Sequence, residues 1–407
     1  MKITEIRTRV VEWRGKIVPP QPHFCSNPMD ILQLSGDSMG GFRFHGWLIV
    51  ELFTDSGHVG IGNAALSPRL TKHTIDNYLK PLLLGRDPWD SEFLWQLMYR
   101  ATMAFGRKGI GMVAISAVDI AIWDVLGKVT GQPVFRLLGG RTKPKIPVYA
   151  SRLYSGPLDA LAAEAKSYKE QGYTGMKLRF GWGPTDGAAG MQRNVELVRT
   201  VRETVGDEID VMADAYMGWT LDYSRRMIPL LERYRLRWLE EPVIPDDIHG
   251  YAALKALGRV PIAGGEHEFT LAGFRQLLEA KAVDYIQFDT NRVGGITQAR
   301  KIAALAEAYS VPVIPHAGQM HNYHIVLASL NSPIAEFFPP VDVEIGNELF
   351  HYIFEGEPEP VNGNIDLRDD LPGLGLRIKE EALERFAVME APFESEARTE
   401  TASATAK

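Results

Sequence analysis

The sequence predicts an α/β protein, a (β/α)-barrel preceded by an α+β capping unit, and three observations carry that expectation. From Lys145 onward the chain repeats a short apolar strand followed by an amphipathic helix, and eight strand candidates can be counted. The segments between the first seven are long enough for crossover helices, as parallel pairing requires, and eight such units imply a closed barrel. The rival doubly wound sheet would carry a glycine-rich phosphate loop after its first strand, and Ser151 to Pro157 supplies none.

The elements follow in order. Residues 1–63 read as antiparallel strands, with Trp47 to Phe53 turning back at Asp55-Ser56-Gly57. Between them Pro19 to Arg43 is rich in Pro, Gly and Ser and reads as a long functional loop. Helical periodicity then covers Thr71 to Leu84, Trp89 to Met103 and Met112 to Lys128, so residues 1–125 form the capping unit. The barrel is expected over 126–340. Its strands are Ile146–Ser151, Thr174–Arg179, Ile209–Asp214, Leu236–Glu241, Pro261–Glu266, Asp284–Asp289, Pro312–His316 and Ile334–Phe337. Residues 341–393 are expected to return to the capping unit, and the polar tail 394–407 to be disordered.

Bulk properties narrow the function. A chain of 407 residues can bury a large core, and 45% hydrophobic with 23% charged residues is an ordinary globular composition. A formal charge of −7 without clustered Lys and Arg argues against nucleic acid. Cys25 is the single cysteine, so neither an internal disulfide nor a multi-thiolate zinc site is available. Met1 to Lys16 lacks the apolar core of a signal peptide and no apolar run reads as membrane-length, so the expected address is the cytoplasm, with no membrane partner. A homo-oligomer acting on a small molecule is the expected form.

Active sites of such barrels lie at the C-terminal ends of the strands. Here those ends offer Lys177 and Arg179, Asp214, Glu240, Glu266 with His267, Asp289, His316 and Glu336. One charged strand end is ordinary; successive ends sorted by charge type are not. Asp214, Glu240 and Glu266 are spaced by 26 residues each, one strand-helix unit, and so present three carboxylates to one point. Converging buried carboxylates repel unless a cation lies between them, and all-oxygen donors select a hard ion, Mg²⁺ first. Glu241 competes with Glu240 for the second position, but strand alternation and spacing favour Glu240. On the next two strands Asp289 can fix the tautomer of His316 and leave its other nitrogen as a base.

These residues, with Ala121-Ile122-Trp123-Asp124 through Gly127-Lys128 to Leu137-Leu138-Gly139-Gly140, resemble the mandelate racemase subgroup of the enolase superfamily across nearly the whole chain. The resemblance implies a capping domain over a modified TIM barrel, (β/α)7β, with three metal carboxylates for Mg²⁺, a His–Asp dyad and an acid, Glu336, on the last strand. Racemases of the subgroup carry Lys-x-Lys on the second strand, whereas this chain has Lys177-Leu178-Arg179. Arginine does not deprotonate, so a second base is missing there, and Lys177 and Arg179 are expected to neutralise a substrate carboxylate.

A second, local likeness is to the L-rhamnonate dehydratase group. It rests on Gly181-Trp182-Gly183-Pro184 with Asp186-Gly187, on Gly265-Glu266-His267, and on the stretch from Pro315-His316 to His324. It implies loss of water from an aldonate to give a 2-keto-3-deoxy acid, with His316 as base and His316 or His267 as acid. His23 and Arg43, on a loop that departs from that group, are candidate substrate contacts. Another aldonate such as L-lyxonate, a racemase or epimerase, and a non-catalytic binding protein are the alternatives.

Overall fold

The computed structural model describes residues 1–15, 46–343 and 349–388. His23 and Arg43, with the rest of the Pro19 to Arg43 loop, and the tail 394–407 lie outside the described residues. Strands β1 (Ile3–Glu12), β2 (Gly46–Thr54) and β3 (Val59–Ala64) form an antiparallel meander. Its apolar face packs on the helix Ile110–Thr130, flanked by Ser91–Gly106.

The barrel strands are β4 (Ile146–Leu153), β5 (Gly175–Arg179), β6 (Asp210–Asp214), β7 (Leu239–Glu240), β8 (Ile262–Gly264), β9 (Tyr285–Ile286) and β10 (Ala335–Phe337). They pair in parallel in the order β10-β4-β5-β6-β7-β8-β9. The expected strand Pro312–His316 contributes only a bridge, Val313 to Ile286. Pro312 and Pro315 have no N–H to donate, so a continuous ladder cannot form there. The backbone nonetheless holds its place, through Ile314 N–H to Ile286 O at 2.8 Å and His316 N–H to Phe288 O at 2.9 Å. After β10 the chain adds Asn364–Ile365 antiparallel to β4, and Val388 N–H reaches Val10 O at 2.9 Å on the capping sheet.

One sequence expectation fails. Ile110–Thr130 is, by length and composition, a run that could cross a membrane, with a mean hydropathy of 1.8 over its most apolar window. Its apolarity has another cause: the helix lies between the capping sheet and the barrel and is buried on all sides from Gly111 to Gly127. The polar residues it does carry tie the two units together. Ser116 Oγ accepts from Gly294 N–H at 2.8 Å and Asp119 Oδ2 from Thr297 N–H at 2.9 Å, so this helix caps the N-terminus of the barrel helix Gly295–Ala308. Gly295, at φ 75°, must be glycine, because a Cβ there would come within 2.3 Å of Asp119 Oδ2.

Burial pushes the Asp119 carboxyl up to about 7, with the hydrogen bonds from Thr297 opposing. The folded state thus holds this proton more tightly than the unfolded chain, where the ordinary value is about 3.9. The stabilisation is complete below about pH 4 and drains away as pH rises to about 7. Wild type should therefore lose thermal stability relative to Asp119→Asn across that window, and show no further relative loss above it. A melting-temperature difference that stays flat from pH 4 to 7 would refute this.

Candidate active site

The barrel interior begins as an apolar layer, Tyr149, Met212, Trp238, Ala263, Ile314 and Ile334. Side chains alternate along a strand, so two residues further toward the C-terminal end the same inward positions are Ser151, Asp214, Glu240, His316 and Glu336. Lys177 of β5 joins this layer. All are buried, and the change from apolar to polar within one step is what makes the mouth a site rather than a core.

Lys177 is its electrostatic centre. Its ammonium touches Glu240 Oε1 and lies 2.8 Å from Glu336 Oε1 and 3.8 Å from Asp214 Oδ2. Burial alone would lower its pKa, but the Glu240, Glu336 and Asp214 carboxylates raise it, so the cation is permanent. Glu240 Oε2 also accepts from Trp238 Nε1 at 2.9 Å and Gln287 Nε2 at 2.8 Å. Arg179 Nη1 donates to Asp214 Oδ2 at 3.1 Å, and Ala317 N–H to Glu336 Oε2 at 2.8 Å. Burial works to raise Glu336, yet Lys177 and His316 hold it down at about 2.

A second half of the mouth is built on Glu266. Arg292 Nη1 donates to its Oε1 at 3.2 Å, His316 Nε2 lies 3.4 Å from Oε2, and His267 Nδ1 lies 3.6 Å from Oε1. Asp289 Oδ2 meets His316 Nδ1 at 2.9 Å and Arg292 Nε at 3.0 Å, while its Oδ1 accepts from Asn291 N–H at 2.8 Å. A carboxylate only accepts, so His316 Nδ1 carries the proton and Nε2 faces the mouth. Burial lowers the His316 pKa less than Glu266 and Asp289 raise it. His267 Nδ1 has its own carboxylate, Glu241 Oε2, at 2.7 Å.

The nine residues Lys177, Arg179, Asp214, Glu240, Glu266, His267, Asp289, His316 and Glu336 thus gather in one buried mouth. Sequence reasoning missed Arg292, which folds back from the turn after Asp289, and Gln287 and Trp238, which hold Glu240. It set Glu241 aside. The residues fit a hard cation: among the described residues, carboxylates Asp214, Glu240, Glu241, Glu266, Asp289 and Glu336 face three permanent cations, Lys177, Arg179 and Arg292. Burial, aided by repulsion from Asp214, Glu336 and Glu266 and opposed by Lys177, pushes Glu240 up to about 7, and burial also raises Asp214. Among the described residues, Glu241, Glu266 and His267 bring ligand-type atoms within 4.8 Å of one another. Both oxygens of Glu240 are engaged by protein donors.

Comparison with known proteins shows the family of the chain. The enolase C-terminal domain-like profile matches residues 160–382, and the mandelate racemase/muconate lactonizing enzyme N-terminal profile matches residues 31–139. The chain belongs to the mandelate racemase/muconate lactonizing enzyme family. A Caldivirga maquilingensis protein provisionally named L-rhamnonate dehydratase is 39% identical over 97% of both chains. The L-rhamnonate dehydratase of Saccharopolyspora erythraea is 37% identical over 84% of this chain and 85% of its own. Among solved structures, rhamnonate dehydratase from Gibberella zeae complexed with Mg superposes with a TM-score of 0.84 at 32% identity, covering 95% of this chain and 96% of that one.

For this member of the family, removing the central cation tests the electrostatic account. Lys177→Met leaves Glu240 and Glu336 buried without their partner and should destabilise the fold by about 3–5 kcal/mol in chelator. Added divalent cation should restore part of that loss. Urea melts that match wild type in chelator would show that Lys177 is not the charge on which the mouth depends.

Proposed function

We propose that this chain is a Mg²⁺-dependent acid-sugar dehydratase acting on an aldonate of the L-rhamnonate type. The observation that carries the reading is the asymmetry of the mouth. One imidazole, His316, is set up as a base by Asp289, while the second-strand position where a racemase needs an opposed base holds Arg179, bonded to Asp214. The names of the two relatives at 39% and 37% identity support the same substrate class.

The chain's own groups divide the work. Lys177 and Arg179 orient the substrate carboxylate and meet the charge that develops on it as the C2 proton leaves. His316 Nε2 takes that proton, and its Nδ1–H stays on Asp289. The electron pair of the C2–H bond passes first onto the carboxylate, giving an enediolate, and then forms C2=C3 in a second step as the C3–O bond breaks. His267 gives a proton to the departing hydroxyl, so water leaves, and the enol then becomes the 2-keto-3-deoxy acid. Asp214, Glu240 and Glu266 are the proposed ligands of Mg²⁺, which when bound supplies Lewis-acid stabilisation of carboxylate oxygen charge. In that arrangement Glu240 would exchange part of its protein contacts for the ion.

A screen of stereoisomeric pentonates, hexonates and 6-deoxyhexonates with Mg²⁺, read by 2-keto-3-deoxy acid formation, should give turnover on rhamnonate-like or lyxonate-like configurations. Racemisation without water loss on every acid tried would sink the dehydratase reading. Glu240→Gln should need more Mg²⁺ and lose turnover, and full activity in that variant would remove Glu240 from the ion's ligands. His316→Asn should cut both dehydration and C2 exchange with solvent deuterium by about 100- to 10,000-fold. His267→Asn should slow water loss while C2 exchange persists. If exchange instead survives only in His316→Asn, the base is His267.

A further inference from the structure

Glu241 is a residue with an unusual backbone and a buried charge that the mechanism above does not use. It follows Glu240 at the end of β7, its φ is 38°, and it is 1% exposed. Tyr216 and Met217, at φ 45° and 62°, are also left-handed. Non-glycine residues avoid this region, and three close together are a sign that the surroundings enforce a geometry. They are joined: Met217 N–H donates to Glu241 O at 2.7 Å. Two of them, Glu241 and Tyr216, meet His267. Glu241 Oε2 is 2.7 Å from its Nδ1, and the Tyr216 ring stands edge-on to the imidazole, centroids 5.6 Å apart at 71°. The His267 side chain keeps 18% exposure while Glu241 keeps 2%, so of the pair it is the imidazole that solvent and a substrate can reach.

We propose that Glu241 is a positioning residue for His267: it holds the proton on Nδ1 and presents Nε2 to the substrate, forming with His267 a second carboxylate–imidazole dyad beside His316–Asp289. The two dyads flank Glu266, His316 toward Oε2 and His267 toward Oε1. Each uses Nδ1 for its acid and keeps Nε2 for chemistry, which separates the atom that takes the C2 proton from the atom that serves the C3 hydroxyl. The left-handed turn at Glu241 explains how a residue adjacent in sequence to an inward-facing strand residue can also reach the mouth. The catalytic part of this proposal rests on the dehydratase reading; the tautomer part does not.

The test uses Glu241→Gln, which still accepts a hydrogen bond, and Glu241→Leu, which does not. In substrate-free full-length protein, ¹H–¹⁵N NMR of histidine rings should show a downfield Nδ1–H signal that is absent in His267→Asn. It should move upfield in Glu241→Gln and vanish in Glu241→Leu, with the His316 signal retained. With substrate, Glu241→Leu should lose dehydration on the order of 100-fold while C2 deuterium exchange continues. Glu241→Gln should recover part of that loss. Adding Glu241→Leu to His267→Asn should cost nothing further, because the two act as one unit. An Nδ1–H signal unchanged in Glu241→Leu would overturn the proposal, as would additive losses in the double variant. So would exchange and dehydration falling together with a higher Mg²⁺ requirement, which would make Glu241 an ion ligand. Wild-type protein that dehydrates no acid sugar would remove the dehydratase reading, and the ring signals would still decide the Glu241–His267 pairing.

Discussion

The molecule depends on holding carboxylates together in a place where water does not reach them. Each buried carboxylate costs several kcal/mol unless compensated, and neighbouring ones repel. Lys177 is the local answer, because its ammonium contacts Glu240 and Glu336 and stands near Asp214. Arg292 plays the same part for Glu266 and Asp289. Neither cation completes the neutralisation, and Glu240 remains pushed up to about 7 chiefly by burial. A site in that condition has a standing affinity for a further positive charge, which is what makes a dication the natural companion of this residue set.

That arrangement requires rigid support, and the support comes from outside the barrel as well as from its layers. Asn291, two residues from Asp289, donates through Nδ2 to Asn63 O at 2.6 Å on the capping sheet. Ser116 and Asp119 cap the helix that begins at Gly295, directly after the turn carrying Arg292. The segment from Asp289 to Thr297 is therefore fixed at one end by the mouth and at the other by the capping domain. Ile110–Thr130 is apolar because of this role: a helix enclosed on all sides must match its surroundings, and its few polar groups appear only where a backbone end or a partner awaits them.

Much of this could be read from the sequence, and the failures have physical causes. Alternation along the strands locates Asp214, Glu240 and His316 once the apolar run is known, and the 26-residue repeat locates Glu266, which lies past the end of its strand. Pro312–His316 reads as a strand by hydrophobicity, but its prolines remove the donors that a ladder needs. Arg292 escaped because its reach back to Asp289 depends on a turn after the strand, where no period applies. Glu241 escaped for a related reason: alternation directs it away from the interior, and only a left-handed backbone at that residue reverses the direction. A positive φ at a glutamate leaves no mark in composition or spacing.

The Lys177-Leu178-Arg179 sequence then acquires a structural meaning beyond the missing base. A lysine in place of Arg179 could exchange a proton, but a guanidinium bonded to Asp214 cannot, so this side of the mouth is fixed as electrostatics. Proton transfer is left to the opposite half, where His316 and His267 each have a carboxylate at Nδ1. Two proton-transfer groups next to Glu266 and, among the described residues, none beside Asp214 suit a reaction in which one proton is taken and another given at adjacent carbons. Removal and return of a proton at a single carbon from opposite faces would need bases on both sides. The distribution of fixed charge and movable protons across the mouth therefore favours elimination over racemisation, and it does so through residues on the second, third, fifth and seventh strand positions acting together rather than through any one of them.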